Sequence, residues 1–345
     1  MNNKSMLAIF FILLMTSTGA GAEVKPGSFE ALDRPGLEAG PTKVETAILI
    51  MDIDSIDSAS QTFVSNVLIS LSWKDPRLVH SGSGPIKYSL DKIWDPMLQV
   101  INESGLVRKT FPEAASVQPD GTVRYVQRYV GAFSQPLLLH EFPFDQHKFR
   151  ILFMAALYLS DEVQFVPEKM WVDRGLPYAA NILSDISLPD WEILEFKAEN
   201  APFRVFENHE YAGYAFEFSA KRREEYYFIK VILPLFFIVM MSWVVFWIDP
   251  ENSGTQIGVA STSMLTLIAY RFAIDAQVPK VPYTTRLDEF VLMSTAIVFI
   301  ALVQAVITSL CAQSNKSNLA RKVDTISRIV FPLVFFIGVY FTLLT

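Results

Sequence analysis

The apolar residues of this 345-residue chain are concentrated in its C-terminal third. After Glu225, four apolar spans follow one another, and each has the roughly 20 residues that a helix needs to cross a bilayer. The predicted helices cover residues 226–248, 254–276, 290–311 and 326–344. The sequence therefore predicts a four-helix transmembrane domain over residues 226–345, with a short cytoplasmic linker at 312–324.

The second span is apolar overall but polar along one side. At about 100° per residue, Gly258, Thr262, Leu265, Ala269 and Phe272 lie within about 80° of one another. Small and hydroxyl-bearing residues form the first half of this stripe, and larger apolar residues form most of the second half. Because a polar stripe is unfavourable against lipid, the pattern predicts that it lines a water-filled pore. The alternative is that Leu265 and Phe272 only pack against neighbouring helices.

The region before the spans has the pattern of a β-sandwich. Between Val44 and Ser219, short runs rich in Val, Ile, Phe and Tyr recur at the spacing of antiparallel strands. Turn-forming segments such as Ser81–Gly84 and Pro119–Gly121 separate these runs. We expect an immunoglobulin-like antiparallel sandwich of about ten strands within a domain at residues 23–225.

The N-terminus has the pattern of a secretion signal. Lys4 precedes an apolar core from Met6 to Met15, and Ala20–Ala22 forms an A-x-A cleavage site. Residues 1–22 are therefore predicted to be a signal peptide that exports the sandwich. With the sandwich outside, the four spans leave the C-terminus outside and the basic linker at 312–324 in the cytoplasm, as the positive-inside bias prefers.

Composition and motifs limit the chemistry of the chain. Its net charge of −7 argues against nucleic-acid binding, and its single cysteine, Cys311, excludes an intrachain disulfide. Nucleophile, zinc-ligand and phosphate-loop motifs are absent from the sequence, so we expect no enzyme activity, no metal and no cofactor. A membrane-anchored extracellular binding receptor without conduction stays open, although one helix would suffice for an anchor.

Five short motifs occur in the order and spacing of one known family. They are Trp73–Leu78 (WKDPRL), Ile93–Pro96 (IWDP), Pro119–Val123 (PDGTV), Phe142–Asp145 (FPFD) and Pro279–Tyr283 (PKVPY). Together with Pro234 in the first span, they resemble the pentameric ligand-gated ion channels, the Cys-loop receptor superfamily. The chain is most similar to the prokaryotic members, which lack the disulfide.

The resemblance implies a homopentamer around a central pore in the inner (cell) membrane of a prokaryote. It implies a channel that a small-molecule agonist, or protons or hydroxide, opens from the extracellular domain. Leu265 aligns with the central hydrophobic gate of the family, and Ala269 and Phe272 lie one and two turns further out. Rings of such side chains can close a pore by dewetting.

Charge selectivity is predicted from three carboxylates. Cation-selective relatives usually carry an acidic ring at the cytoplasmic mouth, where this sequence has Thr255. Glu251 returns to the helical phase of Gly258 within about 20° and, with Asp249, is predicted to supply that ring. Asp275 is predicted to form an outer ring, so we expect monovalent cations to permeate.

The junction between the two domains is predicted to transmit the stimulus. Asp57, in the turn between the first two strands, is expected to form an ion pair with Arg222, which precedes the first span; the alternative is a solvated surface pair. The same junction is predicted to press Phe142, Pro143 and Asp145 on the Pro279–Tyr283 loop, in which Pro279, Lys280 and Pro282 are the named coupling residues.

By resemblance, the agonist site lies between subunits. Its predicted residues are Trp94, Ile101, Arg124 (contributed across the interface), Tyr158, Phe203, Phe206 and Tyr211. Phe203, Phe206 and Tyr211 are candidates for an aromatic cage around an amine, or are ordinary strand aromatics. His140 and His147, which flank the junction loop, leave pH sensing open.

Overall fold

The structure, a computed structural model, describes residues 33–36, 40–176, 178–206, 209–275 and 278–344. The predicted signal peptide at 1–22 lies outside these residues. A β-rich part comes first in the chain, and a helical part follows from Glu225.

Thirteen strands occur among the described residues. They are β1 (Thr42–Asp57), β2 (Thr62–Lys74), β3 (Ile86–Ser89), β4 (Leu98–Val100), β5 (Arg108–Lys109), β6 (Ala114–Val117), β7 (Thr122–Ser134), β8 (Gln146–Leu159), β9 (Val163–Pro167), β10 (Ala180–Ile182), β11 (Trp191–Asn200), β12 (Phe203–Phe206) and β13 (His209–Arg222). One sheet has the order β10-β1-β2-β7-β6-β3, with β9 on β1 and β5 on β7. The other has the order β11-β13-β8-β4, with β12 on β13. The sandwich is confirmed, and its strand number exceeds the predicted one because strands as short as β5 show no alternation.

The core of the sandwich follows from that alternation. In β2, inward residues such as Phe63 and Val67 are fully buried, while their neighbours are partly exposed. The Phe63 ring meets Phe133 of the same sheet at 5.4 Å, and Phe149 and Phe218 of the facing sheet at 5.5 and 5.7 Å between ring centroids. Interdigitated aromatics therefore join the two sheets.

The WKDPRL and PDGTV motifs have a structural role at one end of the sandwich. The Asp75 carboxylate is fully buried and accepts hydrogen bonds from Arg77 Nε (2.9 Å) and Nη2 (2.8 Å). Gly121 has φ of +80°, and a side chain there would place its Cβ 2.6 Å from the Asp75 carbonyl oxygen. The turn therefore requires glycine, and the two motifs stabilise each other.

Among its described residues, the helical part contains four helices long and apolar enough to cross a membrane. They are α1 (Glu225–Trp247), α2 (Ser253–Asp275), α3 (Arg286–Gln313) and α4 (Ser317–Leu343). Helix α3 begins at Arg286 rather than at residue 290, because Thr285 and Asp288 form a reciprocal capping box there. Most of the predicted linker at 312–324 is instead the polar first turns of α4, which lack the apolar signal by which the span was recognised.

Pro234 fixes a contact between α1 and the candidate pore helix α2. A proline lacks the N–H that would bond to the carbonyl four residues before it, which is that of Lys230. The hydroxyl of Tyr270 on α2 donates to the carbonyl oxygens of Lys230 (2.9 Å) and Val231 (3.0 Å). These carbonyls lie in a π-helical segment, Phe228–Ile232, so the irregular turn of α1 becomes a docking point for α2.

Candidate pore and coupling junction

The predicted stripe of α2 lies on an exposed side of the chain. Leu265 and Phe272 have relative exposures of 68% and 77%, which is unusual for large apolar side chains. Gly258, Thr262 and Ala269 on the same stripe are also exposed. The Thr262 hydroxyl donates to the carbonyl oxygen of Gly258 at 2.8 Å, as hydroxyl residues in transmembrane helices do.

The buried side of α2 lies opposite this stripe. Its buried residues are Gln256, Ala260, Ser263, Leu267 and Ile274. At about 100° per residue, their mean direction is about 170° from that of the stripe. The remaining helices of the same chain therefore cover only the back of α2, and its front is free for water or for other copies of the chain.

Helix α4 is also largely exposed but has a different surface. Its most exposed residues include Ile326, Ile329, Leu333, Phe336 and Phe341, which are all apolar. Such a surface suits lipid, whereas the small and hydroxyl residues of α2 do not. Chemistry thus distinguishes the two exposed helices: the exposed surface of α4 is apolar in its membrane-length part, whereas that of α2 includes small and hydroxyl side chains.

The predicted inner acidic ring has a different geometry from the one expected. Helix α2 begins at Ser253, so Glu251 precedes the helix and does not extend its stripe. The carboxylates of Asp249 and Glu251 each accept a hydrogen bond of 3.1 Å from Nη2 of Arg321 on α4. The inner acidic ring stays a prediction, and α4 places a guanidinium between its two carboxylates. Two negative charges and one positive charge leave a net charge of −1 in each chain.

Asp275 ends helix α2 on the opposite side of the membrane domain. Its carboxylate lies 4.0 Å from the ammonium of Lys280, and both side chains are mostly exposed. At about 100° per residue, Asp275 is about 100° away from the centre of the stripe. It therefore lies beside the exposed pore-type face rather than on it.

Arg222, the last residue of β13, is the centre of the junction. Its Nε and Nη2 donate to the two carboxylate oxygens of Asp145 at 2.8 and 3.0 Å, and Nη2 also donates to Ser58 Oγ at 2.9 Å. The guanidinium lies over the rings of Trp191 and Phe142, at 4.2 and 4.9 Å from their centroids. Arg222 is only 6% exposed, so this cluster is part of the folded core.

The electrostatics of Asp145 follow from this cluster. Burial raises the pKa of its carboxyl, but hydrogen bonds from His147 and Arg222 and the charge of Arg222 lower the pKa to about 2. The contact with His147 is 2.7 Å from Nε2 to Oδ2. Asp145 is therefore a carboxylate throughout the physiological pH range, with both oxygens occupied.

Asp57 does not pair with Arg222. Its Oδ1 accepts the backbone N–H groups of Ala59 (2.8 Å) and Ser60 (3.2 Å) in its own turn. A hydrogen bond with the Ser60 side chain lowers the pKa of the Asp57 carboxyl most, and these backbone bonds lower it further. The predicted ion pair is wrong because a local turn bond holds the carboxylate. The β1–β2 turn does reach Arg222, but through Ser58.

The junction loop contacts the membrane domain mainly through Tyr283. The Tyr283 hydroxyl accepts from the Leu139 N–H at 2.9 Å and donates to the Leu137 carbonyl at 3.4 Å. Its ring stacks on His140 at 4.2 Å between centroids. Tyr283 thus fixes the segment before Phe142–Asp145 to the loop that leads from α2 to α3.

The start of α3 is joined to the same segment. The backbone N–H groups of Arg286 and Leu287 donate to the carbonyl oxygens of His140 (3.0 Å) and Phe142 (3.2 Å), and Arg286 forms an ion pair with Glu141. The Phe142 ring packs edge-on against Tyr227 of α1. Pro143 is buried.

The contact between the two loops runs through Tyr283, the last residue of the predicted Pro279–Tyr283 loop, and through Leu137–His140 rather than Phe142–Asp145. Asp145 faces Arg222, and Lys280 faces Asp275. Pro279 is half-buried and Pro282 is exposed. Tyr283, at the end of the predicted PKVPY motif, makes the hydrogen bonds to the junction loop instead.

The predicted agonist residues are only partly brought together. Trp94 packs edge-on against Tyr158 at 5.5 Å, and Phe203 lies opposite Tyr211 across β12 and β13. Trp94 and Tyr211 are 1% and 2% exposed, so their rings belong to the core and do not form an open cage.

The other predicted agonist residues lie apart from these. Ile101 continues past β4, where its N–H donates to the Leu152 carbonyl at 2.9 Å. Arg124 forms an ion pair of 2.7 Å with the buried carboxylate of Glu168. The side chain of Phe206 lies outside the described residues.

Sequence reasoning missed several residues of the junction and the bundle. Ser58, Trp191 and Tyr227 act through packing or a single hydrogen bond, for which the sequence holds no pattern. The contact of His147 with Asp145 could have been predicted. His147 is the second residue of β8 and lies two positions after Asp145, and alternate residues of an extended chain share a side.

Comparisons with known proteins agree with this architecture. The sequence matches the family model described as "Neurotransmitter-gated ion-channel ligand binding domain" over residues 25–223, and the one described as "Neurotransmitter-gated ion-channel transmembrane region" over residues 231–318. It is similar to a proton-gated ion channel of Gloeobacter violaceus, with 26% identity over 309 residues, which are 88% of this chain and 83% of that protein. The resemblance inferred from the motifs is confirmed. The chain belongs to the neurotransmitter-gated ion-channel family, the pentameric ligand-gated ion channels, which are membrane channels and not enzymes.

Proposed function

We propose that five copies of this chain form a cation channel that opens when a stimulus acts on the extracellular domain, and that Leu265 forms its gate. The observation that carries the proposal is the geometry of α2. Its polar stripe is exposed directly opposite the face that packs in the bundle. One such helix cannot enclose water, so several copies must surround a shared axis. The number of copies, five, is taken from the pentameric family.

The gate is the part of the stripe where large apolar side chains are exposed. Leu265 is 68% exposed, and five copies around an axis would form a ring of leucines at mid-height of α2. Phe272 would form a second apolar ring two turns outward, with Ala269 between them. Such rings exclude water when the pore narrows, and a small tilt of α2 restores hydration.

The stimulus would pass through the junction. A change in the sandwich moves the β1–β2 turn and the Phe142–Asp145 loop, which are joined through Ser58, Arg222 and Asp145. Tyr283 and the first turn of α3 carry that displacement to the outer end of α2. Protons are the first stimulus to test, because the Gloeobacter relative is proton-gated and His147 contacts Asp145 in this cluster.

Cation selectivity is supported by the sign of the charge at the inner end. Asp249 and Glu251 outnumber Arg321 in the cluster before α2, so five chains would place a net negative ring there. Arg271 is exposed but about 100° from Phe272 around the helix, so the stripe itself carries no basic side chain. Negative potential at a pore mouth raises the local cation concentration.

The orientation follows from the predicted signal peptide at 1–22. The domain at residues 23–225 would lie outside, in the periplasm of a prokaryote, and the domain at 226–345 would cross the inner membrane. The cytoplasmic side would then include the connection between α3 and α4 and the cluster of Arg321 and Asp249. The C-terminus would be outside. Lys316, Arg321 and Lys322 fit this orientation by the positive-inside bias.

Voltage-clamp recording from cells expressing the full chain tests the proposal. External pH would be swept from about 4 to about 10, followed by a panel of amines and carboxylates, under a sodium chloride gradient. Current that reverses near the sodium potential is the expected result. Reversal near the chloride potential would overturn cation selectivity. Absence of current despite confirmed surface expression, over the whole range of stimuli, would favour a binding receptor without conduction.

A further inference from the structure

A carboxylate is buried inside the helical bundle near its proposed cytoplasmic end. Asp324 of α4 is 1% exposed. Its Oδ2 accepts a hydrogen bond from Gln256 Nε2 of α2 at 3.1 Å, and its Oδ1 accepts one from Gln304 Nε2 of α3 at 3.4 Å. One acidic side chain thus ties the outermost helix to the back of the pore helix and to the helix between them.

No cation lies within ion-pair distance of Asp324 among the described residues. Arg328, one turn later on α4, interacts with it only through space, and its Nε donates to the Phe246 carbonyl at 3.0 Å. The Arg321 guanidinium, one turn earlier, is held by Asp249 and Glu251. A buried ionised carboxylate that is held only by neutral groups, here two amides and the Thr308 hydroxyl, is unfavourable compared with a paired one, and protonation removes that cost.

The other charged groups at this end are few. Helix α3 has no charged residue after Glu289, which lies at its far end, and α2 has none between its start and Arg271. The loop between α1 and α2 contributes Asp249 and Glu251, Lys316 directly precedes α4, and the start of α4 contributes Lys322 beside Arg321. The acidic side chains of this region are therefore Asp249, Glu251 and Asp324, and the Cys311 thiol lies near the end of α3.

One hydrogen-bond acceptor of this cluster, on Gln256, has no donor when Asp324 is ionised. Its side chain is fully buried, and its Oε1 has no hydrogen-bond partner among the described residues. If Asp324 gains a proton, its carboxylic O–H can donate to Gln256 Oε1 after the amide rotates by about half a turn. The cluster therefore has two arrangements, and the proton on Asp324 selects between them.

We propose that Asp324 is a proton-binding site through which cytoplasmic pH regulates the channel. A proton from the cytoplasmic side adds to a carboxylate oxygen and converts two charge-assisted hydrogen bonds into neutral ones. Neutral bonds hold the back of α2 less firmly, so the closed–open equilibrium constant should change about fivefold. The current readout rests on the proposed channel function, whereas the protonation itself does not.

Inside-out patches test the regulatory part. Internal pH would be stepped from about 8 to about 5 at constant external stimulus, with Asp249→Asn/Glu251→Gln as the background that removes the two exposed acids. The internal pH response is expected to persist in that background and to disappear when Asp324→Asn is added. Asp91→Asn, which replaces an exposed acid of the sandwich between β3 and β4, is the control and should leave the response unchanged. Persistence of the full response in the triple variant would overturn the proposal.

Infrared difference spectroscopy of the full chain in lipid nanodiscs tests the site without current. Acidification should produce a carboxylic C=O band that Asp324→Asn lacks. Gln256→Met removes a donor that favours the ionised form, so it should raise the midpoint of that band by about one pH unit or more. If wild type and Asp324→Asn give the same carboxyl difference spectrum, the site is not a proton site. If no variant conducts but the band behaves as expected, the proton site stands and the proposed channel function fails.

Discussion

Arg222 and Asp145 form a two-bonded ion pair at the point where the sandwich meets the membrane domain, with N–O distances of 2.8 and 3.0 Å. Both side chains are almost completely buried, at 6% and 2% exposure. Arg222 ends the last strand of the sandwich, so the pair joins that strand to the loop that contacts α3 and Tyr283. A displacement of either element must therefore move the other or break the pair.

Replacement of Asp145 should damage both folding and gating. Asp145→Asn leaves a buried guanidinium without its carboxylate, which should lower the free energy of unfolding by about 3 kcal/mol. Surface expression and thermal unfolding of the detergent-solubilised pentamer measure the effect. Asp57→Asn is the matched control, and it should cost about 1 kcal/mol, because Asp57 accepts only bonds of its own turn. Equal losses in the two variants would contradict the assignment of Asp145 as the partner of Arg222.

The same pair predicts a particular pH dependence of stability. The pKa of Asp145 is lowered to about 2, below its ordinary value of 3.8. A lowered pKa means that the stabilisation is complete above the unfolded pKa and is lost as pH falls through the folded one. The stability difference between wild type and Asp145→Asn should therefore be constant from about pH 5 upward and shrink below about pH 4. A difference that shrinks between pH 7 and pH 5 would show that another group controls this pair.

The gate assignment predicts opposite consequences for two leucines two residues apart. Leu265→Ser, on the exposed stripe, should ease hydration of the pore and produce leak current or a lower activation threshold, with normal surface expression. Leu267→Ser, on the buried face, should instead reduce stability and expression, because it places a hydroxyl in the packed bundle. Voltage clamp and surface labelling separate the two. Unchanged activation in Leu265→Ser would exclude Leu265 as the gate.

The membrane architecture could be predicted from the sequence because it depends on composition over long windows. Length and apolar content located α1 to α4, and the 3.6-residue period located the exposed stripe of α2. The start of α4 at Ser317 was not predicted, because its first turns are polar. Periodicity locates an element only where one face is apolar.

Side-chain partners could not be predicted in the same way. The position of Arg222 before the first span suggested a role, but its carboxylate partner was predicted wrongly, because Asp57 is held by local backbone bonds and Asp145 is not. The contact between Gln256 and Asp324 joins residues 68 positions apart, and periodicity shows only that Gln256 is on the buried face. Which distant groups meet on a buried face depends on the packing of three helices at once.

Tyr283 should matter for coupling rather than for assembly. Tyr283→Phe removes the hydrogen bonds to Leu139 and Leu137 while keeping the ring that stacks on His140. Loss of these two bonds should shift the stimulus required for half-maximal current by about 30-fold, since each contributes about 1 kcal/mol. Tyr340→Phe, an exposed tyrosine near the end of α4, is the control and should leave the response unchanged. A normal response curve in Tyr283→Phe would remove the hydroxyl from the coupling pathway.

Arg321 should limit the cation conductance of the inner mouth. Arg321→Gln removes the guanidinium that is bonded to Asp249 and Glu251, so the net charge of that cluster becomes −2 in place of −1 per chain. All three side chains are about half-exposed, so the change should alter stability little and should act mainly on ions near the mouth. We expect a larger single-channel sodium conductance and a reversal potential closer to that of sodium. The gain should be greatest at low ionic strength, because the Debye length falls from about 30 Å at 0.01 M salt to about 10 Å at 0.1 M.

Lys322→Gln makes the same change in charge at the next position, outside the ion pairs of the described residues, and should have a smaller effect. Equal gains in the two variants would mean that general surface charge is responsible, and no gain in either would place Asp249 and Glu251 outside the conduction pathway.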